Sequence, residues 1–203
     1  PKVGLYSGLD IQGGFDYMTR QSRPAWTIVD FIQQGSQIEW IDDNATEITD
    51  IDTLVLIAPQ NMSEKLKFAI DQFVIGGGRT IVFLDPYIET MAAQGQMPSV
   101  QRSDLAELLP NWGLTLRENM FVTDFANSMV VGVGQSRSPV RHIGLLSINP
   151  QVSVDESGKD IIIHGLESIN WSSAGILDAV EGSSAVISPL ILTSDQAQPR
   201  ESI

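Results

Sequence analysis

A run of three glycines, Gly76 to Gly78, is the first place in this sequence to look for chemistry. A phosphate loop follows a strand and opens a helix, where free N–H groups and the positive end of the helix dipole meet the anion. These glycines close a helical pattern and precede the strand-like TIVFLDP. The order predicts a helix stop, with one glycine in the left-handed conformation and the others allowing a tight return. No G-x-x-x-x-G-K-[ST] occurs, and GVGQSR (132–137) is not followed by a helix pattern. ATPase and dinucleotide chemistry are therefore not expected.

The remaining candidates are sparse. His142 and His164 are the only histidines. Neither belongs to an H-x-x-x-H or H-E-x-x-H spacing that would hold zinc. No G-x-S-x-G elbow presents a serine to either, since GQSRS (134–138) lacks the last glycine. Asp42 with Asp43, and Asp50 with Asp52, lack calcium-loop spacing and read as solvated loop ends. There is no cysteine, which removes disulfides, thiolate metal sites and a cysteine nucleophile together. No catalytic residue, cofactor or metal is expected.

The elements that must carry any site alternate between strand and helix. KVGLYSG (2–8), QIEWI (37–41), TLVLIAP (53–59) and TIVFLDP (80–86) read as strands. The continuous apolar runs suit strands covered on both faces. PAWTIVDFIQQG (24–35) reads as a helix, with Pro24 in its first turn and Gly35 at its stop. Leu66, Ala69, Ile70, Phe73 and Val74 form the clearest amphipathic stripe. Asn61 followed by Glu64 has the shape of a capping box at that helix's start. RSDLAELLPNWG (102–113) predicts a third helix, capped by Ser103 and kinked or ended early by Pro110. MFVTD (120–124) predicts a fifth strand. After Phe125 the pattern changes to β segments separated by loops.

This alternation predicts an α/β protein with a doubly wound, flavodoxin-like parallel sheet over 1–125. Residues 126–203 are expected to form a β-rich extension or to continue the same domain. Ligands of such sheets sit beyond the carboxyl ends of the strands. Those ends carry Ser7, Asp10, Gln60, Asn61, Asp85 and Tyr87. The loops 9–23 and 87–101 flank them and exceed the usual connection length. Phe15, Tyr17, Arg20 and Arg23, on the first loop, are expected to contact a partner or to pin the loop to the core. Several of these residues also have plain structural readings, Asn61 as a cap and Asp85 as the start of an Asp-Pro turn.

The charge balance narrows the partners. The 203 residues carry a net charge of −13. That field repels phosphate backbones and anionic headgroups, so nucleic acid and a flat membrane-surface association are not expected. No apolar run is long enough to span a bilayer. The strand-like opening PKVGLYSG and the polar tail SDQAQPRESI read as cuts within a longer protein.

Taken in order, several stretches resemble a known family. GGFDYMTRQSRPAWTIVDFIQQ (13–34), APQNMSEKLKFAIDQFVIGGGRTIVFLDP (58–86), LLPNWGL (108–114), PVRHIGLL (139–146), GLESINWSSAGIL (165–177) and SPLILTS (188–194) are similar to the GldG-like auxiliary components of ABC transporters, the gliding-motility-associated group. The ordered set covers nearly the whole chain. The resemblance implies a protein anchored in the inner membrane through segments outside this chain. Its soluble domain would face the periplasm or extracytoplasmic space and associate with an ABC permease and its ATPase. It also implies a class I glutamine amidotransferase-like core. Active members of that fold carry a cysteine after a central strand, and the corresponding stretch here, IAPQNMS (57–63), has none. The expected role is therefore non-catalytic, by binding a protein or a transported substrate. A hydrolase using Asp85, Ser7 or His142, and a small-ligand sensor using the same strand-end cleft, remain the alternatives.

Overall fold

The computed structural model describes residues 1–16, 20–86, 103–133, 138–150 and 160–201. Tyr17, Tyr87 and the whole of the loop 87–101 lie outside them. The chain divides into two units, Pro1–Leu84 with Gln101–Trp112, and Asp85–Val100 with Gly113–Ile203.

In the first unit β1 (Lys2–Ser7) leads into a short hairpin of β2 (Gly14–Asp16) and β3 (Gln21–Arg23). Helix α1 (Thr27–Gly35) then returns the chain to β4 (Gln37–Trp40). Next come β5 (Thr53–Ile57), α2 (Glu64–Ile75) and β6 (Thr80–Phe83). The four longer strands make one parallel sheet in the order β4-β1-β5-β6. Side chains of a strand alternate between faces, so β5 feeds two cores. Val55 and Ile57 join Val3, Leu5 and Val29 on the α1 side. Leu54 and Leu56 join Tyr6, Leu66 and Ile70 on the α2 side.

Helix α2 shows how local sequence sets its own limits. Its N-cap is Ser63, whose hydroxyl accepts from the Leu66 N–H at 3.1 Å. The cap falls two residues later than the Asn61–Glu64 pattern predicts. Asn61 instead adopts a left-handed φ of 57°, which asparagine tolerates. At the other end the Gly78 N–H bonds the Phe73 carbonyl at 2.8 Å and the Gly77 N–H bonds the Val74 carbonyl at 3.0 Å. This is a Schellman stop with Gly77 at φ 89°. The glycine run ends a helix.

The segment expected as a third helix forms two 3-10 helices, Asp104–Glu107 and Leu109–Trp112. Pro110 has no N–H to continue an α-helical ladder, and its ring clashes with the preceding turn. Ser103 caps the first of them, accepting from the Leu105 N–H at 3.3 Å. Leu105 is buried in the α2-side core, and Trp112 donates its indole N–H to Asp71 at 3.0 Å.

The second unit is antiparallel. Strand β7 (Leu114–Asp124), longer than the expected MFVTD, precedes β8 (Ser128–Val133) and β9 (Ser138–Ile148). Strands β10 (Ile169–Ser172), β11 (Gly175–Ala179) and β12 (Ala197–Glu201) follow. They form two three-stranded sheets, β10-β9-β8 and β11-β7-β12. Asp124, fully buried, joins the end of β7 to the approach to β12. Its carboxylate accepts from the Ser194 hydroxyl at 2.6 Å and N–H at 2.8 Å, and from Ala126 and Asn127. Burial pushes this carboxyl up, but the donors of Ser194 and Asn127 outweigh it and hold it below the usual carboxylate range.

Two outcomes follow from these stops and anchors. Gly77→Ala should lower stability by about 1 kcal/mol in urea melts, because a Cβ is strained at that φ. Asp124→Asn should cost about 2–3 kcal/mol at neutral pH, since it removes a buried charge from several donors. The folded state depresses the Asp124 pKa, so its contribution is complete above the ordinary carboxylate value. It is lost as pH falls through the lower folded value. The gap between wild type and Asp124→Asn should therefore narrow in acid.

Candidate functional site

The parallel sheet has one switch point. From β1 the chain crosses through α1 to β4, and from β5 it crosses through α2 to β6 on the other side. The carboxyl ends of β1 and β5 therefore lie side by side with their connections diverging, the place where such sheets take ligands. Ser7, Gln60 and Asn61 sit there.

The floor of this crevice is closed by a backbone contact. The Gly8 N–H donates to the Ile57 carbonyl at 3.0 Å. A Cβ built on Gly8 would stand 2.2 Å from the Ala58 carbonyl oxygen and 3.0 Å from the Gln60 nitrogen. Only glycine lets the two chain ends approach this closely.

The turn 58–63 is held from several sides. The Ala58 N–H donates to the Phe83 carbonyl at 2.9 Å. The Ser103 hydroxyl donates to the Pro59 carbonyl at 3.2 Å. The Tyr6 hydroxyl lies 2.8 Å from the Asp43 carboxylate and 3.1 Å from the Gln60 carbonyl, sharing one proton between two acceptors. The Met62 N–H donates to the Asp104 carboxylate, and the Ser63 hydroxyl donates to the Asp43 carbonyl. Such anchoring holds Ala58 at φ 42° and Asn61 at φ 57°, conformations that side-chain-bearing residues adopt at a cost. Burial, then the hydrogen bond to Asp43, then the charges of Asp43 and Asp104, push the Tyr6 phenol well above its ordinary value.

The hydroxyls here have structural work. The Ser7 hydroxyl donates to the Leu9 carbonyl at 2.9 Å and accepts from the Leu9 N–H at 3.0 Å. Ser63 caps α2 while bonding Asp43. Gln60 is different. It is 6% exposed, and neither amide atom of its side chain has a hydrogen-bond partner among the described residues.

The other expected residues spread along the chain. Asp10 pairs with Arg23 at 2.6 Å on an exposed part of the loop 9–23, tying the loop to itself. Buried Ile11 fixes the same loop to the α1-side core, and its carbonyl accepts from the Trp26 N–H at 2.9 Å. Phe15 in β2 and Arg20 before β3 are exposed. Asp85 begins the second unit. Among the described residues no group of three or more His, Asp or Glu side chains is placed to hold a metal ion. No described helix is long and apolar enough to cross a membrane.

Sequence reasoning passed over Tyr6, Gly8, Asp43 and Asp104. Asp43 reads as a solvated loop acid, and nothing nearby in sequence signals that Tyr6 meets it. The signal available was the position of Gly8 directly after β1.

The fold and this crevice define an α/β protein with a parallel sheet and a turn at its switch point that holds Ala58 and Asn61 in the left-handed region. Compared with known families, the chain matches over residues 1–202 the family described as an ABC-type uncharacterized transport system, and it belongs to that family of transport auxiliaries. No curated protein and no solved structure matches it.

Gly8→Ala should cost about 2–3 kcal/mol in thermal or urea unfolding, because the displaced atoms are backbone and cannot rotate away. A variant as stable as wild type would show that the ends of β1 and β5 are free to separate.

Proposed function

We propose that this chain is the extracytoplasmic, non-catalytic domain of a membrane-anchored ABC transport auxiliary of the GldG-like type. Family membership over 1–202 carries the transport assignment and implies association with transporter components. The finer reading rests on the ordered resemblance of the sequence stretches, and it names an ABC permease and its ATPase as partners. A flavodoxin-like, glutamine amidotransferase-like core is supported by the parallel order β4-β1-β5-β6 with helices on both faces.

The non-catalytic reading has a structural support of its own. The strained residue after a central strand is where α/β hydrolases expose a nucleophile. Here that residue is Ala58, at φ 42°. The neighbouring hydroxyls of Ser7 and Ser63 are engaged with backbone groups, and no base stands against either among the hydrogen bonds of this edge.

Affinity purification of the full-length protein from native membranes in mild detergent tests the assignment. Mass spectrometry should recover a permease and an ATPase in amounts comparable to the bait. Recovery of the protein alone from the soluble fraction would remove the auxiliary reading. Separately, substituting Ser7, Asp85 and His142 together should leave transport-dependent growth or motility unchanged, whereas a loss in a folded variant would restore the hydrolase alternative.

A further inference from the structure

The turn 58–63 is anchored by its backbone and by the Ser63 hydroxyl, and yet it leaves one amide unpaired. Gln60 buries a carboxamide with an idle acceptor, Oε1, and an idle donor, Nε2. A buried polar group without a partner is destabilising, and an apolar side chain of similar volume would remove that cost. Its place adds to the argument. The Gln60 backbone lies against Gly8 at the switch point, where the ends of β1 and β5 meet. A rigid frame around one unsatisfied polar group is how a recognition group is presented.

We propose that Gln60 is the recognition group of a binding site for a small neutral ligand that offers an adjacent hydrogen-bond donor and acceptor. The chemistry selects this class. A cation would satisfy Oε1 and leave Nε2 unpaired. An anion would satisfy Nε2 and leave Oε1 unpaired, and the negative charges of Asp43, bonded by Tyr6, and Asp104, bonded by the Met62 N–H of the same turn, disfavour it. A neutral donor–acceptor pair satisfies both amide atoms at once. Vicinal hydroxyls of a sugar and a carboxamide both supply it. The amide is buried, so the ligand reaches it as the side chain moves, while the anchored backbone stays in place. The site lies within the first unit and does not depend on which transport system the chain serves.

The test uses the protein labelled with 15N-glutamine. The Gln60 side-chain NH2 pair is assigned by its loss in Gln60→Met, a replacement of similar volume. D-glucose is the hydroxyl probe and acetamide the carboxamide probe. At least one should shift the Gln60 pair saturably and raise the melting temperature of wild type but not of Gln60→Met. The probe that acts identifies the source of the donor–acceptor pair, and action by both means that the shared chemistry suffices. Without ligand, Gln60→Met should melt about 2–6 °C higher than wild type, because it removes an unpaired amide at little change in packing. If neither probe moves the pair, the proposal fails. It also fails if Gln60→Met melts no higher than wild type, since the amide then has a partner in the resting protein, such as an internal water.

Discussion

The organising constraint is the close approach of two chain ends at the top of the parallel sheet. Strands β1 and β5 are neighbours, and their connections must leave in opposite directions over opposite faces. The backbone just beyond them is withdrawn from water, so its polar groups need partners within the protein. Gly8 allows the contact, and the contact places the Ala58 turn under Tyr6, Ser103 and Asp104. These partners come from β1 and from the first 3-10 helix with its cap. The turn thus ties together distant parts of the first unit, and the two apolar cores on either face of β5 sit directly below it.

The second unit meets a similar problem with a charge. Asp124 ends β7, and its carboxylate gathers donors from the turn into β8 and from Ser194 before β12. A buried carboxylate is tolerated when its oxygens are this well supplied. Arg117 and Asp178, paired through two bonds of 2.6 and 2.8 Å between β7 and β11, are exposed and contribute geometry more than energy. Each unit therefore has one polar centre joining segments far apart in sequence.

For a transport auxiliary, the charge balance bears on which partners it can meet. The net charge of −13 keeps such a domain away from anionic surfaces and favours basic partners. Strand β6, at the edge of the parallel sheet, leaves Ile81 and Phe83 about half exposed on the α1 side. That half of the face has less cover than the strands beneath α1.

Much of the fold was legible without coordinates. Buried strands announce themselves as apolar runs, because both faces must be covered, and α2 by its period of 3.6. The glycine stop was legible because left-handed backbone at a helix end is a local demand. The early end at Pro110 was legible for the same reason, although the loss of α-helical form on both sides of it was not. The cap of α2 was misplaced by two residues, since Asn61 and Ser63 are both good caps and the choice fell to the Asp43 carbonyl across the turn. Among the site residues, the sequence by itself located Ser7, Gln60 and Asn61 at strand ends, because strand direction follows from strand–helix alternation. Only the tertiary structure decided that Tyr6 meets Asp43, that Ser103 and Asp104 hold the turn, and that Gln60 is buried with its amide unpaired. Those facts depend on contacts between residues roughly forty to fifty positions apart, and no local pattern encodes which distant group fills a given hydrogen bond.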